Sequence, residues 1–307
     1  MRSPYWSAIS VPVAAAAKLP TNIQIPDVLV SISLAIVQYI HVLLLFTKSD
    51  VKTVLLPTTV FALVSSYPHI SAPHILHSIF WTWLHLLQFC IANQLNSVSE
   101  DAINKPWRPL PSDLIPLATA RYLRWTLLPL CFLLSLTHGT LGAACVLSVA
   151  TYVHNDMEFG EHWLNRNLLC AVGYWAFNRG AASVASSGTS FSLVLYDGPN
   201  MLIAETVIPL IIGTTIHAQD FRDVEGDKLK GRTTLPILLP RGSRWSVFLL
   251  VLGWSVVLAG WASTVHLTLK IAYMALGVWV GSIFVLRERI EDDRWSYDAY
   301  NVRCLDS

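Results

Sequence analysis

Long stretches of this chain contain no Asp, Glu, Lys or Arg, and they limit its fold more than any other feature. They cover residues 28–47, 53–99, 125–155, 180–196, 206–219, 245–269 and 271–286. Roughly 20 apolar residues in a helix cross a hydrocarbon layer of ~30 Å, and several of the stretches reach that length. Charged residues make up 13% of the 307, against about 25% in a soluble domain. A soluble enzyme and a disordered chain are therefore excluded. The formal net charge of +1 gives no excess for a polyanion, so no nucleic-acid partner is expected.

Polar and proline-rich breaks divide the chain into an all-α, polytopic membrane protein of about nine transmembrane helices: 27–47, 52–67, 73–96, 113–136, 139–154, 166–189, 199–219, 245–262 and 266–286. The stretch 53–99 is too long for one span, and Pro68 and Pro73 mark a hairpin between two. Residues 1–26 read as an N-terminal extension, 27–290 as one transmembrane catalytic domain and 291–307 as a cytosolic tail. With nine spans the connections alternate sides, and 17 of the 21 Lys and Arg residues fall on one face. Arg2, Lys18 and Lys270 fall on the other, and Arg179 lies within a span. Positive residues stay on the cytosolic side, so the rich face and the C-terminus are expected there. A count of eight helices would scramble the asymmetry. Four of the five cysteines lie in predicted spans, without the spacing of a disulfide framework or zinc site.

The loops after the third and seventh spans are the most charged, and alternation puts both on the cytosolic face, where they can share one mouth. In the later loop Asp220, Asp223 and Asp227 stand at i, i+3 and i+7, one face of a helix. Three carboxylates so crowded repel one another unless a hard cation neutralises them. Mg2+ takes oxygen ligands, keeps several waters and is completed by substrate phosphates. Lys228 and Arg232 stand nearby to hold phosphate oxygens. In the earlier loop Asn93, Ser97 and Asp101 stand at i, i+4 and i+8, an amide, a hydroxyl and a carboxylate along a second stripe, with Glu100 as a substitute and Lys105 and Arg108 as a cationic rim. Together the two segments point to a metal-diphosphate site.

These segments resemble the UbiA-type superfamily of intramembrane prenyltransferases and terpene cyclases. Its members carry an Asn-Asp-x-x-Asp-x-x-x-Asp motif after an early helix and Asp-x-x-x-Asp after a later one. Asp223-Val224-Glu225-Gly226-Asp227, followed by Gly231 and Thr234-Leu235-Pro236, matches the second. Asp101-x-x-Asn104-Lys105-Pro106-x-Arg108-Pro109 matches the tail of the first. Where the first motif would have Asp, this chain has Gln94 and Ser97. The series Asn93, Ser97, Asp101 is instead similar to the Asn/Ser/Glu metal triad of soluble class I terpene cyclases. Asn-Gln and Glu-Asp in this stretch resemble in particular the fungal UbiA-type terpene cyclases. The resemblance implies a UbiA-like bundle around a central apolar cavity capped by cytosolic polar loops. It implies a membrane-bound, Mg2+-dependent cyclase of geranylgeranyl or farnesyl diphosphate, in the endoplasmic reticulum. It also implies that Tyr152 and Arg166 help to hold diphosphate.

On this reading Asp101, Asp223 and Asp227 are the catalytic carboxylates. Asn93, Ser97, Asp101, Asp220, Asp223 and Asp227 hold the metal, and Lys105, Arg108, Lys228 and Arg232 stabilise the departing diphosphate. Trp125, Tyr174, Trp175 and Phe177 are candidates for aromatic faces around the carbocation. Besides the isoprenyl diphosphate and the lipid bilayer, no obligatory protein partner is evident. A prenyltransferase that passes the same cation to an aromatic or lipid acceptor stays open, as does a cation-binding transporter. Arg179 and Glu205, each about 20 Å deep at ~1.5 Å per residue, are expected to pair. His138 and His217 read as hydrogen-bonded bundle residues.

Overall fold

A computed structural model describes residues 25–67, 71–186 and 199–305. The chain separates into two compact units, Met1–His41 and Val42–Ser307. The first contributes the start of a long helix whose residues 30–41 are exposed apolar surface, as contact with lipid requires. The second carries everything that follows.

The chain forms helices α1 (Ile25–Thr47), α2 (Leu56–Ser66), α3 (Ala72–Asn96), α4 (Val98–Asn104), α5 (Leu117–Thr137), α6 (Leu141–Thr151), α7 (Trp163–Ala185), α8 (Pro199–Thr215), α9 (Val224–Lys230), α10 (Leu235–Leu238), α11 (Pro240–Trp261), α12 (Leu267–Leu286) and α13 (Ile290–Leu305). No strand occurs among the described residues; one isolated bridge joins His162 and Thr233. Residues 187–189 of the span 166–189 lie outside the described residues, and a helix occupies the described part of each expected span. Of these, Val30–Thr47, Ala72–Asn96, Pro240–Trp261 and Leu267–Leu286 are long and apolar enough to cross a membrane. The 53–99 stretch is divided between α2 and α3, and Pro73 sits in the first turn of α3, where a missing N–H costs nothing.

Two departures from the expected elements shape the site. The stripe through Asn93, Ser97 and Asp101 does not lie on one helix. Ser97 leaves helical geometry at φ −131° and ψ 29°, so Asn93 belongs to α3 and Asp101 to α4. The later acidic segment also changes character: Ile216–Asp223 is a 3-10 helix, and α9 starts after Asp223. In a 3-10 helix residues three apart eclipse, which aligns Asp220 with Asp223 more closely than an α-helix would.

The expected tail is mostly helix α13. Its charges conceal an apolar stripe: Tyr297 and Tyr300 pack with Phe221, Val247, Val251, Val280 and Phe284, while Arg244 grips Asp293 at 2.7 and 2.8 Å. Two further cores lie deeper in the bundle. One joins the end of α1 to α3 and α5 through Phe46, Leu87, Ile91 and Leu127. The other joins α3, α6 and α7 through Trp81, Leu86, Leu147 and Phe177. Arg179 and Glu205 form the expected pair at 2.8 and 2.9 Å. His217 bonds Ser246 at 2.9 Å, and the His138 ring lies 5.3 Å from that of His77, tilted by 57°.

Candidate active site

The two polar loops meet. Asn104 donates from its amide to the Asp223 carbonyl at 3.1 Å, and Lys105 reaches the Asp223 carboxylate at 2.8 Å. Arg232 bridges the two segments, with one nitrogen 2.8 Å from Glu100 and 3.1 Å from Asp227. Gly226 makes the approach possible, since a β-carbon there would run into the Asn104 amide. Arg166, at the start of α7, joins them by pairing with Asp220 at 2.9 Å. The Thr233 amide donates to the Glu161 carbonyl at 3.0 Å.

Beneath this junction lies a cavity of about 1200 Å³, its open mouth included. Five cationic side chains, Lys105, Arg108, Arg166, Arg222 and Arg232, line it together with the carboxylates Asp50, Glu100 and Asp223. Its remaining wall is largely apolar, with Val54, Leu86, Phe89, Leu147, Tyr174 and Phe177. Tyr174 is fixed by donating its hydroxyl to the Thr53 carbonyl at 2.5 Å.

The sequence-derived candidates sort by this cavity. Asn93, Lys105, Arg108, Arg166, Tyr174, Phe177, Asp223 and Arg232 line it. Asp220 and Asp227 lie just behind, almost fully buried. Ser97 turns its hydroxyl to the Asn93 carbonyl at 2.7 Å. Asp101 is held by Arg108 through bonds of 2.8 and 2.9 Å. Tyr152, Trp125 and Trp175 are exposed and do not line the cavity, and Lys228 is exposed at its rim segment. The residues that spacing passed over are Ser49, Asp50, Gln219 and Tyr297, which line the cavity from separate elements. Arg222 was legible in principle, because it interrupts the acidic segment itself; its guanidinium lies 4.2 Å from the Tyr297 ring.

The acids differ in character. Burial pushes the Asp220 carboxyl up to about 7 against the pull of Arg166. Burial also opposes ionisation of Asp223, but Lys105 and Arg222 overcome it and hold that carboxyl at about 2. Asp227 is raised, again chiefly by burial.

Among the described residues no three His, Cys, Asp or Glu side chains form a ready metal cage. Each of the three aspartates turns to a cation, Asp220 to Arg166, Asp223 to Lys105 and Asp227 to Arg232, and they remain electrostatic neighbours of one another. The donor set still suits a hard cation. One oxygen each of Glu100 and Asp227 is buried without a hydrogen-bond partner, an arrangement that costs desolvation until something positive fills it. Asn93 adds an amide in the same cavity. A cation held by two or three such oxygens needs water and phosphate to complete its shell, which is the habit of Mg2+.

Comparison with known proteins agrees with this architecture. The chain is 32% identical over 278 residues to the fumagillin beta-trans-bergamotene synthase of Aspergillus fumigatus, covering 88% of this chain and 91% of that one. It is 28% identical over 242 residues to a diterpene cyclase, eriG, of Hericium erinaceus, covering 76% of each. Its fold matches a UbiA homolog from Archaeoglobus fulgidus, solved bound to GPP and Mg2+, with a TM-score of 0.58 at 13% identity over 86% of this chain and 96% of that one. The UbiA prenyltransferase family profile matches residues 54–302, and the protein is a membrane-embedded enzyme belonging to that family.

Proposed function

We propose that the protein is a class I terpene cyclase that ionises an all-trans isoprenyl diphosphate, geranylgeranyl or farnesyl, and closes the carbocation to a di- or sesquiterpene with release of diphosphate. The observation that carries this reading is a single cavity with cations and carboxylates at its mouth and an aromatic and aliphatic wall below. Its relatives' names, a bergamotene synthase and a diterpene cyclase, support the same reaction class. The GPP and Mg2+ in the A. fulgidus homolog support the ligand class.

We assign Mg2+ to Asn93, Ser97, Asp101, Asp220, Asp223 and Asp227, and add Glu100 for its partnerless oxygen. When bound, Mg2+ would neutralise charge on the diphosphate and so ease its departure. Lys105, Arg108, Arg166 and Arg232 bind the remaining phosphate oxygens, Arg222 adds to them, and Lys228 and Tyr152 stand at the rim. Asp101, Asp223 and Asp227 keep these cations in place. The apolar wall excludes water, which would otherwise capture the cation as an alcohol. The faces of Tyr174 and Phe177 stabilise the cation by ~1–2 kcal/mol each when desolvated; Trp125 and Trp175 are the weaker candidates because they face outward. We place the mouth on the cytosolic side of the endoplasmic reticulum membrane, with residues 27–290 as the catalytic domain between an N-terminal extension and a C-terminal tail whose Tyr297 reaches the cavity.

The test is incubation of membranes containing the protein with Mg2+ and farnesyl or geranylgeranyl diphosphate, without acceptor, followed by gas chromatography with mass detection. A cyclic hydrocarbon absent from an Asp223→Ala control is expected. The family's own description favours a second reading, transfer of the isoprenyl group to an aromatic or lipid acceptor. Silence without acceptor and a prenylated product with one would establish that reading instead. Under the cyclase reading, Ser97→Asp brings no gain of acceptor prenylation.

A further inference from the structure

A cascade that ends in a neutral alkene must give up a proton, and the cavity holds few groups able to take it. Its carboxylates are Asp50, Glu100 and Asp223, and its histidines His85 and His154. Glu100 is bound by Arg232 and Asp223 by Lys105, both at 2.8 Å. Both ring nitrogens of His85 are engaged: Nδ1 lies 2.9 Å from the Trp81 carbonyl and Nε2 3.3 Å from Ser135 Oγ. The Trp81 indole N–H donates to that same Oγ at 2.8 Å, so the Ser135 proton is directed at His85 and occupies its lone pair. His154 is engaged through Nδ1, 3.1 Å from Asn155 Oδ1, and its Cε1–Nε2 edge is packed over Gly160, where a β-carbon would lie 2.6 Å from both atoms.

Asp50 is different. It forms no salt bridge among the described residues; Arg108 acts on it by charge without pairing, and its side-chain hydrogen bond is a weak one, from Cys90 Sγ at 3.5 Å. It heads a π-helical turn, Val51–Leu55, whose Thr53 and Val54 line the cavity beside Tyr174 and Phe177. The carboxylate therefore stands where the charged mouth gives way to the apolar wall.

We propose that Asp50 is the general base that ends the reaction, an inference that rests on the cyclase reading. It takes a proton from the carbon next to the final cationic centre: the C–H bond breaks, its electron pair becomes the new C=C bond, and the proton passes to an Asp50 oxygen. The rival acceptor is the released diphosphate.

The experiment compares the product spectra of the wild type, Asp50→Asn and Asp50→Glu on the same diphosphate without acceptor, each as a share of substrate consumed. In Asp50→Asn the parent hydrocarbon is expected to fall at least tenfold in share, replaced by hydrated or isomeric products, while Asp50→Glu keeps a hydrocarbon as its main product. Unchanged shares in Asp50→Asn, whatever its rate, overturn the proposal and leave diphosphate as the base. Should Asp50→Asn lose its monodisperse solubilised form, Asp50→Glu decides: moving the carboxylate by one methylene has to alter the ratio of double-bond isomers, and an unchanged ratio overturns the proposal. A wild type that makes no terpene without acceptor refutes the cyclase reading itself, and this role for Asp50 falls with it.

Discussion

Asp220, Asp223 and Asp227 share a motif but not a chemistry. Asp223 is ionised at any physiological pH because Lys105 and Arg222 outweigh its burial, whereas burial leaves Asp220 near about 7. A metal bound there must displace the Asp220 proton. Mg2+ affinity is therefore expected to fall as pH drops from about 7 toward about 4, by up to tenfold per unit, and calorimetric titration at pH 6 and 8 checks it. Without metal the sign is opposite for stability. The folded chain holds this proton more tightly than the unfolded one, so the Asp220 contribution weakens as pH rises from the ordinary 3.8 through about 7. The Arg179–Glu205 pair gives a second residue-scale expectation. Arg179→Ala should destabilise by about 3–5 kcal/mol, because it strands a buried carboxylate, and by more than Arg179→Ala with Glu205→Ala together. Equal thermal stabilities of the single and double variants would contradict it. These charges were legible in sequence because a charge is rare in such a chain and needs a reason. Asp50, Gln219 and Tyr297 were not, since only folding brings their three segments to one cavity.

At the scale of elements, the site depends on how closely α4 and α9 approach. Gly226 gives up its β-carbon to the Asn104 amide, which in turn holds the Asp223 carbonyl. Gly226→Ala is expected to push the two segments apart and to lower diphosphate release at least tenfold, with little change in melting temperature because the packing of α3, α6 and α7 lies elsewhere. Normal release in that variant would show the contact to be dispensable. The long apolar helices were legible from their length and lack of charge. Short elements were not. The break at Ser97 and the 3-10 course of Ile216–Asp223 come from packing at the mouth, where local periodicity carries no record of it. Helix α13 escaped for a related reason: its Asp, Arg and Glu residues mask the Tyr297 and Tyr300 stripe that it buries.

For the whole molecule, the bias of 17 Lys and Arg on one face against three on the other predicts that the mouth opens to the cytosol. A Lys228→Cys probe, in a background lacking the exposed Cys145 and the tail Cys304, is expected to react with a membrane-impermeant maleimide in sealed, cytosol-side-out microsomes. Reaction only after permeabilisation would invert the orientation. The mouth has one more consequence, for handling the protein at the bench. Asp101 is neutralised by Arg108, Asp220 by Arg166, Asp223 by Lys105 and Asp227 by Arg232, so stripping divalent ions exposes no naked acidic cluster. Purified in EDTA, the protein is expected to stay folded, melting only a little lower, and to regain full turnover when Mg2+ is returned. A melting temperature that collapses in chelator would mean that the ion is a structural staple as well as a reagent.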